Sequence, residues 1–145
     1  MADAGCVFCD IVAGATPAHT VYADEHTLAF LDVRPVFPGH VLLVPRDHHE
    51  TLTDLPPALV DPLFGVAQRL AGAVQTAMEA HGTFVAMNNT VSQSVPHLHV
   101  HVVPRRRKDG LRGFFWPRQR YAGDEEMAET AARIRESLGR PVHEP

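Results

Sequence analysis

The stretch His97-Leu98-His99-Val100-His101-Val102-Val103-Pro104 constrains this chain more than any other. Apolar residues alternate with histidines, the period-two pattern of a strand with one buried face. The pattern predicts Leu98, Val100 and Val102 against a core and His97, His99 and His101 together on the opposite face. Proline cannot donate to a sheet ladder, so Pro96 and Pro104 predict the limits of the strand.

Spacing limits what three such imidazoles can do. Neighbours on one strand face stand about 6.7 Å apart, twice the strand rise, which separates the outer pair by about 13 Å. Zinc–nitrogen bonds measure about 2.0–2.1 Å, so one ion would hold all three only if both outer rings folded hard inward. Nucleophilic catalysis fits better. An imidazole oriented through one nitrogen keeps a lone pair on the other, so His99 in the middle of the row could attack phosphorus and form a phosphohistidine-type intermediate. His101 beside it could stabilise charge or pass a proton to the leaving group. His97 is left to orient its neighbours or to serve another role.

The rest of the chain narrows the class. A length of 145 residues predicts one domain able to bury a core unaided. The formal net charge of −4 argues against general nucleic-acid binding. No apolar run approaches the roughly 18 residues that would cross a bilayer. Asp3 and Asp10 interrupt any signal-like N-terminus, so a cytoplasmic protein is expected. In that compartment the single Cys6-x-x-Cys9 pair favours metal binding or redox chemistry over a disulfide.

In chain order, a short turn or helix follows the cysteines. Thr20–Ala23 and Thr27–Val33 read as a hairpin, and His40–Pro45 as a doubly covered strand with Val41-Leu42-Leu43-Val44 at its centre. Thr53-Asp54 offers a cap, and Pro56-Pro57 suits the first turn of a long helix. That helix carries Leu59, Leu63, Val66, Leu70, Val74 and Met78 on one face and ends near His81-Gly82, where glycine can turn left-handed. Thr83–Met87 is a further strand, Asn88–Ser94 a polar loop, and Asp124–Leu138 a C-terminal helix with Met127, Ala131, Ile134 and Leu138 on one face. These elements predict an α+β fold, a five-stranded, mainly antiparallel sheet with one long helix and a C-terminal helix.

The histidine run resembles the histidine triad motif, His-φ-His-φ-His-φ-φ with φ apolar, of the HIT superfamily of nucleotide hydrolases and transferases. Phe30-Leu31-Asp32, Pro35, Pro38-Gly39-His40, Val44-Pro45-Arg46-Asp47-His48 and Asn88 occur in that family's order and approximate spacing. The resemblance covers about residues 6–105 of a single 1–145 domain, leaving 106–145 as a C-terminal extension. It implies a homodimer with a continuous sheet and transfer of a nucleoside monophosphate to His99, followed by release to water. It implies that Asp32 holds the ribose hydroxyls, and that Phe8, Ile11, Phe30 and Val33 line the base pocket. Asn88, Gln93 and Ser94 would contact phosphate oxygens beside the catalytic His99 and His101, with His40 supporting the triad. Similarity to zinc-bearing bacterial members implies a structural zinc held by Cys6, Cys9, His48 and His97, with His49 the competing third ligand.

Two segments depart from that pattern. Asn88–Pro96 contains no glycine and is about two residues shorter than the family's usual loop, although close backbone approach to phosphate often relies on glycine. Arg105–Arg120 holds seven of the thirteen Lys and Arg residues. There, Arg106 and Arg107 could clamp distal phosphates while Trp116 stacks on a second base; a solvated loop with an aromatic anchor is the alternative. The implied substrates are purine nucleotides, either dinucleoside polyphosphates or nucleoside 5′-phosphoramidates. Nucleotidyl transfer or phosphorolysis, or nucleotide binding with incidental turnover, are the competing readings.

Overall fold

The computed structural model describes residues 3–112 and 117–139. Phe114, Phe115 and Trp116 lie outside the described residues, and the stacking role considered for Trp116 lies there with them. The chain forms two compact units, one up to Asp109 and one from Gly110 onward.

The first unit is a five-stranded antiparallel sheet with helices on both faces. Its elements are α1 (Val7–Val12), β1 (Thr20–Ala23), β2 (Thr27–Leu31), β3 (Val41–Pro45), α2 (Pro57–Ala77), β4 (Gly82–Ala86) and β5 (Val100–Arg105). The strand order is β1-β2-β3-β5-β4, which places β3 and β5 at the centre and leaves β4 on an edge. One face carries Ala29, Val41, Leu43, Leu98, Val100 and Val102 against Leu63, Val66, Ala67, Leu70 and Val74 of α2. The other carries Leu28, Phe30, Leu42 and Val44 against Cys6, Phe8 and Cys9 at α1. Each fully buried Leu or Val here contributes about 1.5–3 kcal/mol of burial free energy. The uninterrupted apolar run of β3 is thereby explained, because both of its faces are covered.

The alternation in the histidine run is realised. Leu98, Val100 and Val102 are fully buried under α2, and the histidines face the α1 side. The strand limits differ from expectation. β5 runs through Pro104 to Arg105, tolerated because pairing with β3 ends at Val102 and Pro104 pairs only with Thr83 of β4. A missing N–H on the unpaired side costs no ladder bond. At the other end the ladder begins only at Val100, and the preceding backbone is held by Leu98 N–H donating to the His49 carbonyl at 2.7 Å.

Two helix ends also moved. Thr51 and Asp54 cap a 3-10 turn at Leu52–Asp54, and α2 starts from Pro56 without a side-chain cap. α2 stops at Ala77, and Glu79 takes the left-handed conformation (φ 51°) where Gly82 was expected to. Gly82 instead opens β4. In the second unit, α3 (Asp124–Leu138) begins with Asp124, Glu125 and Glu126, favourable to the helix dipole, and none of its residues is buried. Among the described residues no helix is long and apolar enough to cross a membrane.

Candidate active site and metal cluster

The histidines of β5 and its approach segment are sorted by what lies opposite each of them. At the near end, α1 brings two thiols to the strand. Cys6 Sγ lies 3.4 Å and Cys9 Sγ 3.5 Å from His97 Nδ1, and Cys9 Sγ lies 3.4 Å from His48 Nδ1. All four ligand atoms fall within 4.8 Å of one another. A tetrahedral zinc ion with bonds of about 2.3 Å to sulfur and 2.0–2.1 Å to nitrogen separates S from N by roughly 3.6 Å. The donor set and its edges fit that ion.

The surroundings prepare these atoms as ligands. His97 Nε2 donates to the Pro45 carbonyl at 2.9 Å, which leaves Nδ1 unprotonated toward the sulfurs. His48 Nε2 lies 3.5 Å from the Asp3 carboxylate. Burial, with the neighbouring His48 and His99, holds His97 below its ordinary value, so its ring is neutral. Burial pushes the Cys9 thiol up, partly offset by the Asp3 N–H donating to its sulfur; a bound dication would reverse that penalty. His48, rather than His49, reaches the thiols. His49 Nε2 is buried without a hydrogen-bond partner among the described residues.

The middle histidine faces a different environment. His99 is 3% exposed, and its Nδ1 donates to the His97 carbonyl at 2.7 Å, leaving the lone pair on Nε2. Phe8 packs edge-on against this ring at 5.0 Å between centroids and fixes its plane.

His101 is oriented by a chain of hydrogen bonds that begins in the backbone. Val36 N–H donates to His40 Nδ1 at 3.1 Å, so neutral His40 carries its proton on Nε2. That Nε2–H donates to His101 Nδ1 at 2.9 Å, which places the proton of His101 on Nε2. His101 therefore presents a donor beside the lone pair of His99, with ring centroids 5.0 Å apart. Burial, together with His99 and His40, lowers His101 to about 4, and burial lowers His40 as well.

A cavity of about 450 Å³ opens over this pair. Phe8, Ile11, Phe30, Asp32, Val33, Ser94, His99 and His101 all line it, so α1, β2 and β5 bring together most of the residues singled out in the sequence. Asp32 Oδ1 accepts from Arg34 N–H at 2.9 Å, while Oδ2 stands 3.7 Å from His40 Nε2. Asn88 and Gln93 are not among the lining residues. Asn88 Nδ2 donates to the Ser92 carbonyl at 3.2 Å, and Gln93 bridges the Glu50 carbonyl (2.6 Å) and the Thr90 N–H (2.9 Å). Their amides hold the loop rather than face the cavity.

The loop also does without glycine in an unexpected way. Thr90 and Ser92 take the left-handed conformation themselves, at φ 70° and 62°. Of the two arginines considered for a phosphate clamp, Arg106 and Arg107, the first is engaged elsewhere. Its guanidinium donates to the Met78 carbonyl at the end of α2, and Arg105 forms a bidentate pair with Asp109 at 2.6 and 3.0 Å. Sequence reasoning passed over Arg34, a cation on the cavity wall, and Val36, whose N–H sets the tautomer chain. Arg34 had a signal, a cation two residues after Asp32; a backbone donor leaves none.

Comparison with known proteins places this geometry. The HIT domain model matches residues 13–108. A crystal structure of a HIT-family protein from Bacillus subtilis, 33% identical, superposes over 94% of this chain and 99% of its own with a TM-score of 0.85. A zinc-bound histidine triad protein from Mycobacterium smegmatis, 38% identical, matches over 92% of this chain and 97% of its own at a TM-score of 0.71. A Saccharomyces cerevisiae protein named adenosine 5′-monophosphoramidase is 32% identical over 118 residues, covering 81% of this chain and 73% of its own. With the triad run, the HIT-type sheet and these matches in agreement, the chain belongs to the HIT domain family.

Proposed function

We propose that this protein is a nucleotide hydrolase that cleaves at the α-phosphate of a purine nucleoside 5′-phosphoramidate or a similar small-leaving-group nucleotide. The observation that carries this reading is the His99 lone pair set beside the His101 Nε2–H on one cavity. The base would lie among Phe8, Ile11, Phe30 and Val33, and Asp32 would accept from the ribose hydroxyls. Ser94 and Arg34, which line the same cavity, would meet phosphate oxygens.

The His40–His101 pair takes up one proton with the anionic substrate. His99 Nε2 attacks phosphorus, the P–N(His99) bond forms, the bond to the leaving atom breaks, and the pair passes its proton to that atom. Water then attacks the nucleotidyl-His99 intermediate, the P–N bond breaks, and the water proton returns to the pair. A cavity of about 450 Å³ is at the small end of single-ligand sites and favours one nucleotide over two. With Arg106 committed to α2, this favours phosphoramidates over dinucleoside polyphosphates.

The name of the yeast relative supports the substrate class. The zinc-bound mycobacterial neighbour supports a zinc ion at Cys6, Cys9, His48 and His97, where it would tie α1 to β5 structurally. Homodimer formation through the β4 edge, where Val85 is 44% exposed, and a cytoplasmic location complete the proposal.

The test uses adenosine 5′-phosphoramidate and a diadenosine polyphosphate, with and without inorganic phosphate. Wild type should hydrolyse the phosphoramidate faster, and His99→Ala should lose roughly 10⁴-fold or more. A nucleotidyl adduct on wild type that is absent from the variant by intact mass locates the intermediate. Equal turnover by the variant, or no turnover of either substrate, overturns the reading. A product that incorporates phosphate replaces hydrolysis with phosphorolysis.

A further inference from the structure

The far end of the strand holds a second group of ligand-type atoms. His40 Nε2 lies 2.9 Å from His101 Nδ1 and 3.7 Å from Asp32 Oδ2, and all three residues offer one atom each within 4.8 Å of the others. We propose that Asp32, His40 and His101 form an open, inhibitory site for a divalent ion of the zinc class, separate from the Cys6–Cys9–His48–His97 cluster and exclusive with nucleotide. Metal binding here stands independently of the nucleotide reading; only the competition rests on it.

The chemistry of the donors selects the ion. Two imidazoles and one carboxylate suit zinc, cobalt, nickel or copper and disfavour magnesium and calcium, which ask for oxygen ligands. Both rings are neutral at pH 7 because burial lowers them, so the ion displaces only the proton shared between them. The Asp32 oxygen nearest His40 is Oδ2, not the one that accepts from Arg34 N–H, so it is available as a ligand.

Geometry asks for little movement. A tetrahedral ion with bonds of about 2.0–2.2 Å to nitrogen and oxygen separates its ligands by roughly 3.4 Å. The His40–His101 contact would open by about 0.5 Å and the Asp32–His40 contact would close by about 0.3 Å. Asp32 and His101 both line the cavity, so a fourth position remains open to water. That three-ligand arrangement contrasts with the four-ligand set at His97, two pleat repeats away along the run.

The consequence follows from what the ion would occupy. It takes the place of the His40 Nε2 proton, so His101 Nδ1 is bonded to metal through the same contact that set its tautomer. It also engages the carboxylate proposed for the ribose. Occupied, the site can neither seat a nucleoside nor relay a proton.

Equilibrium dialysis of the folded protein against cobalt or zinc in a non-chelating buffer tests this. Wild type should bind two equivalents, while His40→Gln and Asp32→Asn should each bind one, with folding checked by far-UV circular dichroism. Adding AMP should displace the second equivalent and leave the first, and excess zinc should raise KM for the phosphoramidate at least tenfold. A single equivalent in wild type overturns the inference. So does a second equivalent that persists in both variants, which would place it on surface histidines, or one that stays in place when AMP binds. One equivalent with turnover intact fails this inference alone; two equivalents without turnover of any nucleotide fail the nucleotide reading alone.

Discussion

His97 and His101 are the same residue type, four positions apart on one run, yet the structure gives them opposite surroundings. His97 is fully buried, with one nitrogen on the Pro45 carbonyl and the other facing two thiols, so both nitrogens are committed. His101 is half-buried, with one nitrogen on His40 and the other available to a cavity. The pleat treats them alike. The difference comes from what lies opposite: α1 delivers Cys6 and Cys9 to one end, and the loop between β2 and β3 delivers His40 to the other. In the proposed reading the partner of the second nitrogen decides whether an imidazole serves as a structural ligand or as a proton carrier.

The comparison breaks most sharply on a pair of substitutions. His97→Gln should remove the metal cluster and lower Tm by about 10 °C or more, since a ligand present at a thousand times its Kd contributes about 4 kcal/mol. A chelator that destabilises wild type should have no further effect on it. Below its new Tm its kcat should fall less than tenfold, because the bond that orients His99 comes from the backbone carbonyl of residue 97, which the substitution keeps. His101→Gln should do the reverse: little change in Tm and a kcat loss of roughly 10²–10⁴-fold, the usual contribution of general acid–base catalysis. Scanning calorimetry and steady-state kinetics on both proteins decide the matter. A His97 variant as inactive as the His101 variant would put both rings in the chemistry.

A smaller effect is expected at the loop that holds His40. Gly39 has φ 96°, and a β-carbon built there would sit 2.6 Å from Met78 Cγ. Gly39→Ala therefore combines left-handed strain of about 1–3 kcal/mol with a displaced Met78. Its His40 neighbour and the Val36 N–H should shift with the loop, lowering kcat more than it raises KM, while the metal equivalent assigned to Cys6, Cys9, His48 and His97 is retained. Equal loss of zinc and activity would mean that the two ends are not independent.

What the sequence could and could not reveal follows the same division. Alternation along residues 97–103 and the unbroken apolar run of β3 were readable because each strand's pattern records which of its faces are covered. The cysteine pair and His48 were readable through resemblance, and the structure brings them together. The loop after β4 was legible as a loop, but its backbone was not: left-handed conformation is ordinarily glycine's, yet Thr90 and Ser92 adopt it while Gln93 and Asn88 pin the turn. Long polar side chains advertise hydrogen-bonding capacity without direction, so the sequence did not show that Asn88 and Gln93 bond within their loop or that Arg106 bonds the end of α2. The relay through Val36 was out of reach, because every residue but proline has an N–H.

The finest distinction between the two ends is their proton count. His101 sits near 4 in the folded protein against about 6.5 in an unfolded chain, and burial lowers His40 and His97 in the same direction. Between those values the unfolded state binds more protons than the native one. Stability is thus fully present above about pH 6.5 and is lost as the pH falls toward 4. Each such group steepens the dependence by at most about 1.4 kcal/mol per pH unit. In His101→Gln one contributor is gone, so its Tm should fall less than that of wild type between pH 7.5 and 5, and two curves that start close together should separate on acidification with the variant above. Loss of the cluster through His97 affects both proteins equally and cancels in the difference. Parallel curves would mean that His101 is not held neutral by the fold, and the proton relay would lose its physical basis.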